Sequence, residues 1–212
     1  MEIIRAEKLS QSFDGSAPIL SNVDFSLSAG EVVYVTGPSG SGKSSFLRLL
    51  NRLAEPRSGA LFFKGATYDS TDVKTLRKKI QLVQQTPVLF DGTVMDNLLL
   101  ATPLAGKERI KRLLDDFNLP PDTGDKIAKK LSVGQAQRVC MVRSLLLEPE
   151  AILLDEPTAP LDDDNKEIFY RTFERVRKEL GLAAVWVTHD ADRAGLEKGR
   201  RLHLEKGALS GR

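Results

Sequence analysis

The sequence predicts an α/β protein with a mostly parallel central sheet. This prediction rests on the order of the apolar segments along the chain. Residues 31–36, 151–155 and 183–188 are short and apolar, which is typical of strands buried inside a parallel sheet. Helical periodicity follows the first two of them, at residues 45–53 and 165–180. Strands that alternate with helices place those helices on both faces of one sheet.

The remaining elements complete this picture in chain order. Strands are predicted at residues 2–9, 22–28, 60–64 and 80–84, and helices at residues 73–80, 107–118 and 134–147. We expect the helices to bury Phe46, Leu49, Leu50 and Leu53, then Ile110, Leu113, Leu114 and Phe117, then Ile168, Phe169, Phe173, Val176 and Leu180. The length of 212 residues suits one domain, with an α/β core over residues 1–92 and 149–212 and an inserted helical subdomain at about 93–148.

A glycine-rich segment between the first apolar strand and its helix indicates nucleotide binding. Residues 37–44 read Gly-Pro-Ser-Gly-Ser-Gly-Lys-Ser, which matches the phosphate-binding loop pattern Gly-x4-Gly-Lys-Ser/Thr. Glycines let backbone N–H groups turn inward around a polyphosphate, Lys43 brings a cation to it, and the Ser44 hydroxyl can ligate Mg²⁺. The alternative is a chance Gly/Ser loop. The residues predicted to bind the nucleotide here are Gly37, Pro38, Ser39, Gly40, Ser41, Gly42, Lys43, Ser44 and Ser45.

Two carboxylates end the second apolar strand. Asp155 stands where an oxygen ligand can hold Mg²⁺, and Glu156 follows at the carboxyl edge of the sheet, where ligands of α/β proteins bind. A second carboxylate beside the metal suits a general base that deprotonates water. The alternative is that Asp155, Glu156 and Pro157 form a polar strand exit.

A third segment, residues 131–135, reads Leu-Ser-Val-Gly-Gln directly before a predicted helix. Ser132 and the Gly134 N–H at a helix N-terminus could form an anion site, whereas the simpler alternative is a serine N-cap. We name residues 131–135 the signature segment.

Composition argues against several other classes. The chain has 31 basic and 29 acidic residues, a net charge of +2, so no nucleic-acid partner is expected. The basic tail residues Lys198, Arg200, Arg201, Lys206 and Arg212 are interpreted as a solvated terminal face. The first residues lack the apolar core of a signal peptide, and no apolar run approaches the roughly 18 residues of a membrane span. The single cysteine, Cys140, excludes an internal disulfide, fits a reducing compartment and is expected in the core.

Taken together, the motifs resemble those of the ATP-binding-cassette (ABC) ATPases over essentially the whole chain. The phosphate loop is followed in order by Gln85, which looks like the Q-loop glutamine, and by the signature segment, close to the usual Leu-Ser-Gly-Gly-Gln. Residues 151–156 come next, and residues 159–162 look like the D-loop. His189 looks like the switch histidine. The resemblance implies a P-loop NTPase fold with an N-terminal antiparallel β subdomain and an inserted helical subdomain.

The resemblance also implies ATP and Mg²⁺ as cofactors and a role for each motif. Lys43, Gln85, Glu156 and His189 would be catalytic, and the metal would be held by Ser44, Gln85 and Asp155. Phe13 would stack on adenine, although a half-buried strand aromatic is the alternative. The residues expected to contact the ATP of a second subunit are Ser132, Val133, Gly134 and Gln135, with Asp162 in the D-loop.

The partners implied are a second copy of the chain, in a head-to-tail ATP sandwich, and a separate transmembrane permease. The chain would then be cytoplasmic, at the inner face of the cell membrane. Residues 85–90 and 93–98 offer apolar surface that can receive a helix of the permease, with internal packing as the alternative. Residues 85–90 (Gln-Thr-Pro-Val-Leu-Phe), together with residues 184–190 (Ala-Val-Trp-Val-Thr-His-Asp), resemble the ATPase subunits of iron-efflux ABC exporters.

Two departures from the family pattern are Val133 in the signature segment, which we expect to loosen the phosphate contact, and Pro160 in the D-loop. The competing hypotheses are a soluble ABC ATPase acting in DNA, ribosome or cofactor-assembly processes, and a nucleotide-gated binding module without hydrolysis. An assay of phosphate release distinguishes a binding module without hydrolysis from an ATPase.

Overall fold

The protein is described here by a computed structural model that covers residues 1–12, 18–103, 105–188 and 199–211. Within these ranges the chain forms ten strands and six α-helices. The strands are β1 (Glu2–Gln11), β2 (Leu20–Ser28), β3 (Val32–Thr36), β4 (Ser58–Phe63), β5 (Ala66–Thr67), β6 (Ile80–Val83), β7 (Ala151–Asp155), β8 (Ala183–Val187), β9 (Arg200–Glu205) and β10 (Ala208–Gly211). The helices are α1 (Lys43–Leu50), α2 (Val73–Lys79), α3 (Val94–Ala101), α4 (Lys107–Asp116), α5 (Val133–Leu146) and α6 (Asp163–Leu180).

The larger sheet has the order β10-β9-β3-β8-β7-β6, and only its edge strand β10 runs antiparallel to its neighbour. Strands β7 and β8 are buried along their whole length, as their continuous apolar sequences predict. The parallel order brings the carboxyl ends of β3, β6 and β7 to one edge of the sheet. This confirms the predicted α/β fold.

The smaller sheet, β2-β1-β4-β5, is antiparallel throughout and corresponds to the expected N-terminal β subdomain. Side chains of β3 and β8 alternate between two hydrophobic clusters. Val33 and Val185 face the cluster that includes β1, β2 and α1, whereas Tyr34 and Trp186 face the cluster that includes α5 and α6. The two clusters cover opposite faces of the larger sheet.

Trp186 is the centre of an aromatic group on the α6 side of the sheet. Its ring centroid lies 5.1 Å from the stacked ring of Tyr170, 5.1 Å from Phe173 and 5.9 Å from Phe169. The Tyr170 hydroxyl is 3.1 Å from the Thr158 hydroxyl, which follows β7. The group therefore connects β8 to the segment after β7.

Helices α3, α4 and α5 all lie between residues 93 and 148, where the helical subdomain is predicted; its boundaries stay a prediction. Ile110, Leu113, Leu114 and Phe117 are buried as expected, and Cys140 is a buried core residue. No helix of the described residues is long and apolar enough to cross a membrane.

The expected burial of three helix residues is wrong. Helix α1 ends at Leu50, before the residue Leu53, which is 46% exposed, and Ile168 and Leu180 lie on the outer side of α6. In the described part of the basic tail, β9 and β10 form a hairpin that buries Leu202 and Leu204, while Arg200 and Lys206 are exposed, as the interpretation of a solvated face expects. Residues 94–98 belong to α3, whose N-terminus is closed by a capping box of Thr93 and Asp96.

Candidate active site

The loop at residues 37–42 connects the end of β3 to the N-terminus of α1, and two of its three glycines, Gly37 and Gly42, are required by their surroundings. Gly42 caps the helix with φ of 101°, in the left-handed region that favours glycine. A Cβ atom on Gly42 would lie 2.5 Å from the Ile19 side chain, and one on Gly37 would lie 2.1 Å from the Leu204 carbonyl oxygen. The hairpin of β9 and β10 therefore supports the loop from outside, a contact that the sequence did not predict.

Lys43 is almost fully buried, with 6% of its surface exposed. Its ammonium group donates hydrogen bonds to the carbonyl oxygens of Gly37, at 2.9 Å, and Pro38, at 2.8 Å. A lysine ammonium carries three N–H donors, so these two bonds hold the positive charge over the loop while the group keeps donor capacity. The arrangement suits binding of a polyphosphate at the helix N-terminus.

Asp155 ends β7 beside Ser44, the second residue of α1. Burial raises the pKa of the Asp155 carboxyl above its usual value, and the neighbouring charge of Glu156 adds to this effect. A hydrogen bond from the Ser44 hydroxyl acts in the opposite direction, as do the charges of Arg48 and Lys43. A hydroxyl and a carboxylate oxygen in contact are hard oxygen donors of the kind that Mg²⁺ prefers, so the residues fit this ion.

Glu156 has an unusual backbone conformation, with φ of 48°. Its N–H donates to the Val187 carbonyl oxygen at 3.1 Å, which fixes the residue to the end of β8. A non-glycine residue in the left-handed region costs about 1–2 kcal/mol, and such residues cluster at functional sites. The strained turn directs the chain away from the sheet directly after β7.

The Gln85 side chain meets Glu156 at the same edge of the sheet. Gln85 Nε2 donates a hydrogen bond of 3.2 Å to Glu156 Oε2. Both residues belong to a cleft of about 520 Å³. The residues that line it are Ile19, Ser39, Gly40, Gly42, Lys43, Ser44, Ser45, Gln85 and Glu156. The structure thus brings together most of the predicted loop residues, the glutamine and the second carboxylate.

Ile19 is the lining residue that sequence reasoning missed. It precedes β2 and reaches the cleft because its backbone pairs with Gln11 of β1. A single apolar residue before a strand gives no pattern that could have identified it.

Ser41, one of the predicted loop residues, turns its hydroxyl into the loop, where the oxygen is buried and has no hydrogen-bond partner among the described residues.

The signature segment begins α5. Ser132 is the N-cap, and its hydroxyl accepts a bond of 3.2 Å from the Gln135 N–H while Gln135 Oε1 accepts one of 3.1 Å from the Ser132 N–H. Val133 is 56% exposed. A Cβ on Gly134 would lie 2.7 Å from the Leu161 side chain, so this glycine permits close contact with the D-loop. Among the described residues that line the cleft, none comes from this segment.

Asp162 is the N-cap of α6. Its carboxylate accepts a bond of 2.9 Å from the Asn165 N–H, and this hydrogen bond lowers the pKa of Asp162. The neighbouring Pro160 is exposed. The serine-capped α5 and the aspartate-capped α6 therefore meet through Gly134 and Leu161.

Two predicted site residues, Phe13 and His189, lie outside the described residues. The N–H of Thr188, which precedes His189, donates to the Val35 carbonyl oxygen at 3.2 Å. The roles of Phe13 and His189 stay predictions.

The predicted apolar surface is only partly exposed. Val88 and Phe90 are 54% and 53% exposed, whereas Met95 is half-buried and packs against the core, as the alternative of internal packing expects. Asn97 is buried and holds the Phe90 backbone through bonds of 2.7 and 3.0 Å. The Arg143 guanidinium lies 5.6 Å from the Phe90 ring centroid. We name Val88 and Phe90 the exposed apolar pair.

Known proteins resemble this chain in both sequence and structure. Residues 20–159 match the family described as ABC transporter. "ABC transporter I family member 17" of Arabidopsis thaliana is 41% identical over 190 residues, which are 88% of this chain and 72% of that protein. The "Probable iron export ATP-binding protein FetA" of Escherichia coli is 38% identical over 182 residues, 84% of this chain and 81% of that protein.

The structure of cbiO1 from Clostridium perfringens, part of the ABC transporter complex cbiONQ, has a TM-score of 0.86 and 26% identity to this chain. The match covers 99% of this chain and 87% of that one. The family match also favours a transporter ATPase over the soluble alternative. The chain therefore belongs to the ABC transporter family, as an ATP-binding subunit and an ATPase that is coupled to transport.

Proposed function

We propose that the cleft binds ATP with Mg²⁺ and hydrolyses it with Glu156 as the general base. The observation that carries this assignment is the 3.2 Å contact between Gln85 and Glu156, in the same cleft as Lys43 and Ser44. A cation, a metal-facing hydroxyl, an amide and a carboxylate thus converge from separate parts of the chain. This is the set of groups that phosphoryl transfer to water requires.

In this proposal the phosphate loop and Lys43 hold the β- and γ-phosphates, and Ser44, Asp155 and Gln85 hold the metal. The metal, when bound, neutralises charge on the phosphate oxygens. Glu156 accepts a proton from water as the water oxygen attacks the γ-phosphorus, and the bond from that phosphorus to the bridging oxygen breaks. The products are ADP and inorganic phosphate. His189 would contact the γ-phosphate and Phe13 the adenine.

We assign Ser132, Val133, Gly134 and Gln135, with Asp162, to the nucleotide of a second copy of the chain. Two observations support this assignment. The signature segment does not line the cleft of its own chain among the described residues, and Val133 is open to solvent. Two identical surfaces that face each other around a two-fold axis would close two sites at once.

The transmembrane partner is proposed to dock at the exposed apolar pair. Val88 and Phe90 are large apolar residues that follow Gln85 within a few positions, so a helix seated there would sense the state of the cleft. A permease at this surface places the subunit at the inner face of the cell membrane, on the cytoplasmic side. No nucleic-acid partner is proposed.

Export of iron is the substrate assignment that we propose, because the FetA relative carries that name and aligns over 81% of its length. The transported substrate would be bound by the permease.

The test of the hydrolytic function is phosphate release by the purified chain, with Mg²⁺ and with a chelator. We expect release only with the metal, and an enzyme equally active in chelator contradicts the proposed metal role. Isolation of the chain from native membranes tests the partner: recovery of a permease supports docking. Recovery of nucleic acid or ribosomes without a permease contradicts it.

A further inference from the structure

Helix α5 holds the segment that carries Gln85 through a fully buried glutamine. Gln137 is 0% exposed, and its Nε2 donates a hydrogen bond of 2.9 Å to the Gln84 carbonyl oxygen. Further along the same helix, Arg143 Nη2 donates to the Val88 carbonyl oxygen at 2.9 Å. Two side chains of α5 therefore hold the segment at residues 84–88 at both of its ends.

The buried amide of Gln137 is not explained by packing alone. Its Oε1 atom is buried and has no hydrogen-bond partner among the described residues. An apolar side chain of similar volume, such as methionine, would fill the space without burying an unpaired acceptor. The feature that only the amide supplies is the directed bond to the Gln84 carbonyl oxygen.

That carbonyl belongs to the peptide unit that joins Gln84 to Gln85. Because a peptide unit is planar, fixing its oxygen also fixes its nitrogen, which is the Gln85 backbone nitrogen. The direction in which the Gln85 side chain leaves the backbone is thereby restricted. This is the side chain that reaches Glu156 at 3.2 Å.

The other end of the connection is the signature segment. Ser132, the N-cap of α5, stands five positions before Gln137, a separation of about 7.5 Å along a helix. Over such a short distance an α-helix moves as one piece, so displacement of Gln84 also displaces the helix N-terminus. Because Gly134 lies close to the Leu161 side chain, such a displacement would also reach the D-loop.

We propose that Gln137 is a positioning residue that couples Gln85, in the cleft of its own chain, to the signature segment of the same chain. This inference rests on the proposed function, in which those two groups serve two different nucleotides. The Gln137 bond then makes hydrolysis at one site depend on closure at the other. It acts through Gln85 and does not touch the substrate.

The test compares Gln137→Met, which keeps the volume and loses the donor, with Met141→Leu, a volume-conserving change at another fully buried position of α5. We expect Gln137→Met to bind ATP within about twofold of the native affinity and to lose about 10- to 100-fold in kcat, the range for a displaced catalytic group. The Hill coefficient for ATP should fall towards one. Met141→Leu should keep the native values.

Gln137→Asn provides a second variant, because it keeps an amide that is too short to reach the Gln84 carbonyl, and it should reproduce the loss of kcat and cooperativity. Native kcat and Hill coefficient in either folded variant overturn the proposal. Equal losses of ATP affinity, kcat and Tm in both Gln137 variants and in Met141→Leu also overturn it, since they indicate a purely structural contact. If the native chain itself releases no phosphate, the proposed function fails, and this result is distinct from a failure of Gln137 alone.

Discussion

Gln85 Nε2 donates a hydrogen bond of 3.2 Å to Glu156 Oε2, although 71 positions separate the two residues. The contact exists because β6 and β7 are parallel neighbours, with Val83 paired to Leu154, so that both chains leave the sheet at the same edge. An amide and a carboxylate that follow adjacent strands are thereby placed beside the phosphate loop.

Glu156→Gln should lower the ATP turnover by about 10²–10⁴-fold, because the amide cannot accept a proton from water. Lys43, Ser44 and Asp155 are unchanged, so ATP and Mg²⁺ should still bind. ATP bound without hydrolysis should then favour the closed pair of subunits by mass action. Size-exclusion chromatography should show a monomer without nucleotide and a dimer with ATP and Mg²⁺. Native turnover in this variant would show that Glu156 is not the base.

Adding Ser132→Arg to Glu156→Gln should keep the protein monomeric with ATP. The N-cap of α5 is expected at the phosphates of the second subunit, where a long cationic side chain does not fit and the capping hydroxyl is lost. Sedimentation of the double variant measures this directly. An unchanged ATP-dependent dimer contradicts the shared-site arrangement, even if the chain hydrolyses ATP.

Lys43→Ala should weaken ATP binding by about two orders of magnitude or more, because hydrogen bonds from a charged donor contribute about 1.5–3 kcal/mol each. The matched control is Lys74→Ala, which removes an exposed ammonium from α2. Titration calorimetry with ATP measures both variants. Near-native affinity of Lys43→Ala would place the nucleotide elsewhere.

Gly134→Ala should weaken the ATP-dependent dimer of Glu156→Gln, because its Cβ would lie 2.7 Å from Leu161 Cδ2 and must displace it. We expect a loss of about tenfold, or ~1.4 kcal/mol. Shortening the neighbour with Leu161→Ala should recover part of this loss, since residues in contact are not additive. Dimer dissociation constants from all four combinations give the coupling. Strictly additive effects would show that this contact does not position the signature segment.

Phe90→Glu should prevent assembly with the permease and leave ATP binding intact, because it places a charge on the exposed apolar pair. Leu180→Glu is the matched control, since Leu180 is 51% exposed at the end of α6 and Phe90 is 53% exposed. Co-purification from membranes measures assembly, and nucleotide titration measures the cleft. A Phe90→Glu subunit that still assembles and transports contradicts this docking surface.

Asp155→Asn should raise the Tm of the nucleotide-free protein at neutral pH and weaken Mg²⁺-dependent ATP binding. Burial raises the pKa of Asp155 in the folded state, whereas an unfolded aspartate titrates at about pH 4. Between these two pKa values the folded state binds more protons than the unfolded state. The free energy of unfolding therefore falls as the pH rises through that window, and the full cost is present above it. Thermal unfolding at a series of pH values should show the difference in Tm between variant and native protein shrinking towards pH 4. A lower Tm of Asp155→Asn at neutral pH contradicts this account.

The sequence predicted those parts of the fold that depend on local pattern. The buried strands β3, β7 and β8 have no polar interruption, and α4 places its apolar residues at helical spacing. Helix α3 and strands β5, β9 and β10 were not predicted. Two of these elements carry local signals: α3 begins at a Thr-x-x-Asp capping box, and β9 alternates polar residues with Leu202 and Leu204. Arg200 and Arg201 favour an exposed terminal face, which obscures this alternation.

The contacts that arrange the site could not be predicted from local pattern. Gln137 bonds to a carbonyl oxygen 53 positions away, and Gly37 lies against Leu204, which is brought there by the pairing of β9 with β3. Ile19 enters the cleft through the pairing of its backbone with β1. Each of these relationships depends on how the sheet is ordered, and backbone carbonyl groups carry no sequence information.

The aromatic group around Trp186 gives the protein a built-in optical reporter. Trp186 is the single tryptophan of the chain, lies fully buried on β8, and stacks on Tyr170, whose hydroxyl meets Thr158 two positions after Glu156. Excitation of the indole therefore probes one known location, between β8 and the segment that follows Glu156, the proposed general base. Stopped-flow fluorescence of the unlabelled subunit would time the rearrangement at this point during turnover. Tyr170→Phe lacks the hydroxyl that meets Thr158, so the part of the emission change that this variant loses would be the part that depends on that contact.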